Sequence, residues 1–452
     1  MKVQAPQEVK NIIDKFEEKG FEIYIVGGAI RDLLMGKIVY DWDFTTNACP
    51  EDIQSLFEDS YYDNKFGTVG IPAANDEDRP YEITTFRTEH GYSDSRRPDK
   101  VIWGKTLEED LKRRDFTINA MAIKRVKSKS QDYEVIDLYD GQKDIKNKLI
   151  RSVGDPNERF SEDPLRMMRA VRIAAEINFT IEKKTLDAMK ANSALIHKIA
   201  KERVRDELLK ILASSNPHEG IELLRETNLS QEILPEFEKT FGVEQKSPGR
   251  HHIYDVGTHS MMSLKNCPST DPITRFSTLI HDIGKPQTYK KLDTGVVTFY
   301  NHEMVSSKIA GNIADRLRFS KKQKNKLLIL VRHHQFTLNE NQTDSAIRRF
   351  IKKVGIENIP SMLDLRTGDR LGGGAAETSW RLEEFKKRLV EVQKQPFTVH
   401  DLKITGEDVM KELNIKPGPE VGEILQKLYE DVADNKIPNE KKALYNKLQD
   451  YK

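Results

Sequence analysis

The sequence predicts an α+β protein in which a small mixed head, a β-sheet with flanking helices, precedes a long all-α neck, body and tail. Two observations support this. Residues 1–150 contain short β-type runs separated by turns, whereas from about residue 161 apolar residues recur at helical spacing with little Gly or Pro. The 452 residues suffice for several cores, and turn-forming breaks at residues 246–249 and 394–397 divide the helical part.

We therefore predict four segments: a head, a helical neck and body, a histidine-rich helical domain and a helical tail, at residues 1–150, 151–245, 246–375 and 376–452. Within the head, β-branched and aromatic residues in short runs predict strands at residues 21–26, 81–87 and 133–138. Helical spacing is clearest over residues 163–176 and 201–213.

Composition excludes some classes of protein. No apolar run approaches the roughly 20 residues that cross a bilayer, so no membrane association is expected. The first ten residues lack the apolar core of a secretory signal, and two cysteines, Cys49 and Cys267, fit a reducing cytoplasm. Because 73 Lys and Arg balance 72 Asp and Glu, any nucleic-acid-binding surface must be a local patch.

Asp41 and Asp43 form the sharpest local motif. On a strand, period-two alternation would place both carboxylates on one face and Trp42 on the other. Paired carboxylate oxygens are ligands that Mg²⁺ prefers, usually together with substrate phosphates. Upstream, Gly28 and Arg31 follow a predicted strand and open a predicted helix, where the backbone and a guanidinium can approach phosphate. Taken alone, each motif favours an ordinary explanation: a solvated turn for Asp41 and Asp43, and a strand–turn–helix with a solvent-facing Arg31 for the glycine turn.

Taken together, these motifs resemble the catalytic signature of the class II tRNA nucleotidyltransferase and bacterial poly(A) polymerase superfamily. Residues 113–121 resemble its second motif, which contacts the nucleotide sugar and phosphates, and residues 162–166 resemble its nucleobase-selecting motif. The resemblance implies that Asp41 and Asp43 are catalytic and bind Mg²⁺. It further implies a set of nucleotide-binding residues: Gly28, Arg31, Arg114, Asp115, Asn119, Asp163, Arg166, Arg169 and Arg172.

Asp163 and Arg166 are the candidates for reading the incoming base. Three apart on the predicted helix, they would be neighbours on one face and could offer an acceptor and a fork of donors to a base edge. The alternative is a surface ion pair worth a few tenths of a kcal/mol. The resemblance favours base selection.

Two segments bear on which member of the superfamily this is. Residues 65–69 resemble the version in CCA-adding enzymes, and residues 87–98 resemble the complete flexible loop, including Asp94 and Arg97, that the switch to A addition requires. A complete loop argues against addition of C alone, and A-adding enzymes also keep it. The resemblance therefore implies addition of C, C and A to tRNA from CTP and ATP, with A-only addition as the alternative.

Histidines in the second half resemble the ordered ligands of the HD phosphohydrolase superfamily. The resemblance implies a metal site that can hold Ni, Co, Mn, Fe or Zn, with the ligands His259, His281, Asp282, His302, His333 and Asp369. The alternative is a metal-free domain with helix-face histidines. A second function hypothesis makes a phosphodiesterase or phosphatase here the main activity, with a head that only binds RNA. The intact Asp41 and Asp43 favour the transferase instead. The sequence does not indicate an oligomeric state.

Overall fold

A computed structural model describes most of the chain, and it divides into two compact units. The first unit is Met1–Glu238 with Asp315–Phe319, and the second is Lys239–Ala314 with Ser320–Lys452. The described residues are 2–62, 67–73, 79–90, 100–104, 106–126, 132–245, 254–336, 343–393, 399–434 and 436–451.

A mixed seven-stranded sheet forms the head, with the strand order β3-β4-β5-β2-β1-β8-β9. Only β2 and β5 pair in parallel; the other neighbours are antiparallel. A separate hairpin joins β6 to β7. The strands are β1 (Ile23–Val26), β2 (Asp43–Thr46), β3 (Tyr61–Tyr62), β4 (Thr68–Ile71), β5 (Tyr81–Thr85), β6 (Arg87–His90), β7 (Lys100–Trp103), β8 (Met121–Arg125), β9 (Tyr133–Asp137), β10 (Leu149–Ile150) and β11 (Thr180–Ile181).

Helices cover the sheet because their apolar residues recur at helical spacing. The first helix buries Val9, Ile12, Ile13 and Phe16, one face of its three turns, in the core that also contains β1. The residues of β1 are all buried, as expected for a central strand. The head helices are α1 (Gln7–Glu18), α2 (Gly28–Leu34), α3 (Pro50–Leu56), α4 (Leu107–Lys112) and α5 (Gly141–Asn147).

The rest of the first unit is helical apart from the short parallel pair of β10 and β11. Its central helix, α7, buries nine of its 13 residues. Proline at the first turn starts several of these helices, a position where its missing N–H costs nothing. They are α6 (Pro156–Glu162), α7 (Leu165–Ile177), α8 (Lys183–Asn192), α9 (Lys201–Ala213), α10 (Pro217–Glu226), α11 (Leu229–Ile233) and α12 (Pro235–Glu238).

Among the described residues of the second unit, the strands are those of one hairpin, β12 (Lys290–Lys291) and β13 (Val297–Thr298), and the other regular elements are helices. Its first part contains α13 (Val256–Lys265), α14 (Pro272–Ile280), α15 (Lys285–Thr288), α16 (His302–Arg316), α17 (Lys321–His333), α18 (Asp344–Val354) and α19 (Ile359–Gly372). The remainder contains α20 (Trp380–Gln393), α21 (Gly406–Leu413), α22 (Pro419–Ala433) and α23 (Lys441–Leu448). Short 3₁₀ segments occur at Thr117–Asn119, Ser193–Lys198, Ile356–Asn358, Val399–Asp401 and Gln449–Tyr451.

The α+β prediction is confirmed, with a mixed sheet first and helices after it. Along the chain, the first unit gives way to the second between Glu238 and Lys239, seven residues before the boundary predicted after residue 245. The four-segment division stays a prediction. Within the described ranges, every helix is too short or too polar to reach across a bilayer.

Candidate active site and histidine–aspartate cluster

Asp43 lies at the edge of the glycine turn that joins β1 to α2. It is the first residue of β2 and pairs in register with Val26, the last residue of β1. Gly27 follows with a φ of 76°, and a Cβ there would lie 3.3 Å from Asp43 Oδ2 and 3.5 Å from Arg114 Nη1. The absence of a side chain at Gly27 therefore keeps the space beside the carboxylate and the guanidinium open.

The environment of Asp43 is rich in negative charge. Burial, together with the carboxylates of Asp41 and Glu82, raises the pKa of Asp43 to about 7. Asp41, just before β2, has a side chain that is 53% exposed and accepts a hydrogen bond of 3.2 Å from Arg79. Trp42 is only 6% exposed and packs in the head core, as the predicted alternation requires. A divalent cation would compensate this excess of negative charge.

Arg31 connects the glycine turn to the second motif. Its Nη1 donates to Asn119 Oδ1 at 3.2 Å, and its Nε and Nη2 donate to Asp32 at 3.0 and 3.1 Å. Asn119 in turn donates to Asp115 Oδ1 at 3.4 Å. A Cβ at Gly28 would lie 3.5 Å from Arg31 Nη2. The fold thus brings four of the predicted nucleotide-binding residues into one connected network.

Asp115 ends this network in a buried ion pair with Arg169. The Nε and Nη2 of Arg169 donate to Asp115 Oδ2 at 2.8 and 2.5 Å. Burial would raise the pKa of Asp115, but the guanidinium of Arg169 outweighs it and lowers that pKa to about 2. The same contact raises the pKa of Arg169. Both groups are therefore charged across the physiological pH range.

We expect Asp115→Asn to lower the free energy of unfolding by roughly 2 kcal/mol at pH 7. A carboxyl whose pKa is depressed by folding stabilises above its unfolded pKa, and this contribution disappears as the pH falls from about 4 to about 2. Urea unfolding of wild type and variant at pH 7, 4.5 and 3 should show the difference shrinking at the lowest pH. The exposed Asp59→Asn is the control. A difference that stayed constant down to pH 3 would contradict the ion-pair explanation.

Arg113 and Arg114 share a buried carboxylate that the sequence analysis did not single out. Asp110 accepts hydrogen bonds of 2.6 Å from Arg113 Nη2 and 3.1 Å from Arg114 Nη2. Burial would raise the pKa of Asp110, but the two guanidinium groups outweigh it and lower that pKa. Asp110 therefore fixes the direction of Arg114, whose Nη1 points to the glycine turn.

Contrary to what their spacing predicted, Asp163 and Arg166 do not lie on one helix. Asp163 is not on the helix: it is extended (φ −137°, ψ 98°) between α6 and α7, because the residue before a proline disfavours the α conformation. Its Oδ1 accepts from Leu165 N at 3.0 Å and its Oδ2 from Arg203 Nη2 at 3.1 Å.

Arg166 is 8% exposed and takes different partners from those of Asp163. Its Nη1 donates to Glu162 Oε2 at 2.8 Å, and its Nη2 donates to the carbonyl oxygen of Arg113 at 3.0 Å. No ion pair between Asp163 and Arg166 is found among the described residues. Arg166 thus contacts the second motif next to Arg114. The side chains of Asp163 and Arg166 are held by different partners.

Arg172 and the loop residues remain predictions. The guanidinium of Arg172 donates to Glu207 at 2.8 Å and to Glu176 at 2.9 Å, so it is held within the helical neck. Asp94 and Arg97, like residues 65 and 66, lie outside the described residues. The segment that contains Asp94 and Arg97 is bracketed by β6 and β7, which pair as a hairpin.

In the second unit, buried side chains converge in a group that we call the His–Asp cluster: His259, His281, Asp282, His302, His334 and Asp369. Asp282 lies at its centre. Its Oδ2 is 3.2 Å from His281 Nε2 and 3.5 Å from His259 Nε2, and its Oδ1 is 3.1 Å from His302 Nε2 and 3.6 Å from His334 Nε2. The two oxygens of one carboxylate thus face two separate groups of ligands.

The structure brings His334, rather than the predicted His333, into the His–Asp cluster. His334, buried, is the histidine whose Nε2 lies 3.3 Å from His302 Nε2, whereas His333 is only half-buried. A helix turns by about 100° per residue, so adjacent residues at the end of α17 point in different directions. The sequence offers two adjacent histidines, and packing alone selects between them.

Three of the four imidazoles in the cluster are oriented by a second hydrogen bond. His281, His302 and His334 direct Nδ1 to backbone carbonyl oxygens at 2.7, 2.8 and 2.7 Å, those of Thr278, Phe299 and Val331. When Nδ1–H donates, the lone pair of Nε2 faces the cluster, which is the arrangement of a metal-bound histidine. Two ligands each about 2.1 Å from one ion are separated by about 3.0–3.4 Å, and His259 Nε2 is 3.3 Å from His281 Nε2.

The cluster also has the electrostatics of a cation site. Burial would lower the pKa of His281, but the carboxylate of Asp282 outweighs it and raises that pKa to about 10. Burial would raise the pKa of Asp282, yet His281 and Lys285 keep it well below its usual range. The carboxylates therefore require positive charge, which protons on imidazole or a divalent cation can supply. The donor set fits a transition metal.

Three family descriptions match successive parts of the chain. "Poly A polymerase head domain" matches residues 23–151, and "Probable RNA and SrmB-binding site of polymerase A" matches residues 178–241. The third, "tRNA nucleotidyltransferase domain 2", matches residues 300–448 and crosses the boundary predicted after residue 375.

The CCA-adding enzyme of Levilactobacillus brevis is 36% identical over 442 residues, which span 97% of this chain and 96% of that enzyme. The chain belongs to the CCA-adding enzymes. The predicted superfamily is thereby confirmed. Among solved structures, a Bacillus stearothermophilus CCA-adding enzyme in complex with CTP matches with a TM-score of 0.73 and 26% identity, covering 98% of this chain and 97% of that one. A Thermotoga maritima CCA-adding enzyme complexed with tRNA shares the fold, with a TM-score of 0.64, 22% identity, and coverage of 99% and 97%.

In this CCA-adding enzyme, sequence reasoning missed several residues that shape the site. Glu82 pairs with Asp43 across the parallel strands β2 and β5, which no local spacing could indicate. Gly27 has the left-handed φ, although Gly28 was the glycine predicted to bind the nucleotide. Asp110 could have been found, because it precedes Arg113 and Arg114 by three and four residues, the spacing of neighbours on a helix.

Proposed function

We propose that this chain adds C, C and A to the 3′ end of tRNA from CTP and ATP without a nucleic-acid template. The geometric observation that carries the proposal is the meeting of Asp43, Gly27 and Arg114 at the end of β1, with Asp41 two residues away. Its match to CCA-adding enzymes spans nearly the whole chain.

Asp41 and Asp43 are proposed to hold Mg²⁺. The transfer reaction of this family depends on a divalent metal, and carboxylate oxygens beside substrate phosphates are the usual magnesium ligands. When bound, the ion activates the attacking hydroxyl and neutralises the leaving pyrophosphate. Burial and neighbouring carboxylates make it costly to ionise Asp43 in the absence of a cation. A bound cation would stabilise the ionised carboxylate, so binding of the cation and ionisation of Asp43 favour each other.

The connected network beside the carboxylates is proposed to hold the nucleotide. Arg114, fixed by Asp110, directs Nη1 into the open space at Gly27, where it can meet phosphate oxygens. Arg31 and Asn119 are linked to each other at 3.2 Å and through Asp115 to Arg169. Because each donor is already oriented, little side-chain entropy is lost when phosphate or ribose binds.

Extension of three tRNAs, ending in the discriminator base, in C and in CC, tests the proposed reaction. With CTP, ATP and Mg²⁺, we expect the shortest substrate to be completed to CCA. Addition of A to the CC substrate alone would instead identify an A-adding enzyme. No incorporation into any of the three would contradict both transferase proposals.

Asp163 and Arg166 remain the proposed base-reading residues, now as separately held groups rather than as neighbours on one helix face. Replacing both with Ala should lower the preference for CTP and ATP over UTP and GTP by roughly 10- to 100-fold, the range for losing a bidentate base contact. The ratio of kcat/KM values on a CC-ended tRNA measures it. Arg225→Ala, which breaks an Arg–Glu pair elsewhere in this unit, is the control. Retained selectivity in the double variant would refute the assignment.

For the His–Asp cluster we propose a second activity, hydrolysis of terminal or cyclic phosphoesters with a divalent transition metal. The supporting observation is Asp282, whose two oxygens each face a pair of histidines. In such a reaction the oxygen of water adds to phosphorus, the ester P–O bond breaks, and the leaving ester oxygen takes a proton from the water to become a hydroxyl. Lys285 Nζ, 2.6 Å from Asp282 Oδ2, borders the cleft where a phosphate would enter.

A further inference from the structure

A cationic and aromatic cleft of about 570 Å³ lies beside the His–Asp cluster in the second unit. We call it the Trp380 cleft, and its main lining residues are Gln335, Phe336, Arg366, Arg370, Trp380 and Arg381. Trp380 is the first residue of α20. It is 62% exposed, which places it among the most exposed large apolar residues that the structure describes. An indole left open to solvent between three arginines offers a stacking surface and positive charge together.

Backbone carbonyl oxygens, rather than a carboxylate, hold Arg370 in the Trp380 cleft. Arg370 donates from Nε and Nη2 to the carbonyl oxygens of Ala376 and Thr378 at 3.1 and 3.3 Å, contacts that orient its charge without neutralising it. The guanidinium carbon of Arg381 lies 5.4 Å from the centre of the Trp380 ring. The nearby carboxylate of Glu383 contacts Thr378 and Lys386. The cleft therefore carries positive charge that an anionic ligand can complement.

Arg366 joins this cleft to the cleft of the His–Asp cluster. Its Nη1 donates to Asp369 Oδ2 at 3.0 Å, and its guanidinium carbon lies 5.5 Å from the centre of the Phe336 ring. Arg366 and Gln335 line both the Trp380 cleft and a cleft of about 760 Å³ that contains Asp282, His302 and His334. Lys353 adds positive charge to that second cleft, whereas Arg332 there pairs with Glu303 at 2.9 Å. One extended ligand can thus reach from Trp380 to the cluster.

We propose that the Trp380 cleft binds the 3′-terminal nucleotides of a single-stranded RNA, with the base stacked on Trp380 and the terminal phosphate directed toward the His–Asp cluster. Arginines that alternate with an exposed aromatic ring suit unpaired bases and the backbone that joins them. In a duplex the base faces are covered, so Trp380 would have no stacking partner there. The direction of the terminal phosphate rests on the proposed phosphohydrolase function, whereas the stacking on Trp380 does not.

Zero-length photo-crosslinking locates the bound end on the full chain. A short RNA with 4-thiouridine as its last nucleotide and a 3′-phosphate is irradiated with the protein in the presence of EDTA, and crosslinked peptides are mapped by mass spectrometry. We expect crosslinks at residues 379–388, weakened by at least roughly fivefold in Trp380→Ala, as expected when one stacking contact is lost. Crosslinks elsewhere only, or none at all, would overturn the proposal.

Two further variants separate stacking from folding. Trp380→Phe keeps an aromatic face and should retain most of the crosslinking, whereas Lys387→Ala removes an exposed cation from the same helix and should leave it unchanged. Equal loss in Trp380→Phe and Trp380→Ala would contradict stacking. The same RNA annealed into a duplex should crosslink at least roughly fivefold less at this cleft, and equal crosslinking of the duplex would also contradict it.

Hydrolysis of p-nitrophenyl phosphate with added Mn²⁺, Co²⁺ or Ni²⁺ distinguishes failure of this inference from failure of the phosphohydrolase proposal. If that small substrate is cleaved while RNA crosslinks elsewhere, the hydrolase stands and the Trp380 cleft is not its RNA site. If RNA crosslinks at the cleft and no phosphoester is cleaved, the binding site stands and the hydrolase does not.

Discussion

An Asp43→Asn variant is expected to lose essentially all addition of C and A, with kcat/KM lowered on the order of a thousandfold or more. The amide cannot replace a negatively charged oxygen ligand, and the cation beside Asp41 would lose one of its two protein carboxylates. Quench-flow or gel-based extension of a CC-ended tRNA with ATP and Mg²⁺ measures the effect, and the equivalent reaction with CTP on the shortest tRNA measures C addition.

The matched control for Asp43→Asn is Glu58→Gln, an exposed carboxylate in the same head. We expect this variant to extend all three tRNAs at the wild-type rate, since Glu58 contributes nothing to the site. The melting temperature of each variant shows whether the head remains folded. If a folded Asp43→Asn protein added A at more than a tenth of the wild-type rate, Asp43 would not be a metal ligand of the transfer site.

The second large effect is expected at Asp282, the centre of the His–Asp cluster. Because its two oxygens face both groups of histidines, Asp282→Asn should lower metal content and phosphoester hydrolysis together, the latter on the order of a hundredfold or more. Metal analysis after dialysis against Mn²⁺, Co²⁺ or Ni²⁺ measures the first, and hydrolysis of p-nitrophenyl phosphate measures the second. Addition of CCA should be unaffected, since Asp41 and Asp43, the residues proposed for that reaction, lie in the other unit.

The adjacent histidines at the end of α17 supply an internal control for the cluster. His334→Ala should lose bound metal, whereas His333→Ala should keep it, because only His334 has its Nε2 3.3 Å from His302 Nε2. The two substitutions remove the same side chain one residue apart, so a general effect of losing imidazole would affect both. Loss of metal in His333→Ala alone would support His333 as the ligand and contradict the assignment of His334 from the structure.

Local sequence patterns were sufficient to predict the strand β1 and the motifs around the candidate site. The apolar run before Gly27 predicted a buried strand, and β1 is buried along its whole length. The alternation at Asp41, Trp42 and Asp43 predicted that the indole would lie on the face opposite the carboxylates. Trp42 is buried and Asp41 is exposed, although β2 begins only at Asp43. These predictions succeed because strand periodicity and turn chemistry are properties of a few consecutive residues.

Contacts between distant segments were not predictable in the same way. Glu82 reaches Asp43 only through the parallel pairing of β2 and β5, and Arg166 meets the carbonyl of Arg113 only through the packing of α7 against the second motif. The spacing of Asp163 and Arg166 suggested a helical pair, but Pro164 removes Asp163 from the helix. A spacing rule assumes one regular element, and here the helix begins between the two residues.

By itself, the sequence determined the α+β order of the fold, the residue types of the transfer site and the family to which the chain belongs, because motifs of fixed local spacing carry that information. Only the tertiary structure decided that His334 rather than His333 faces Asp282, that Asp110 holds Arg114 toward Gly27, and that Trp380 lies open beside Arg366. Each of these depends on the direction in which a side chain leaves its element, and packing of residues far apart in the chain fixes that direction.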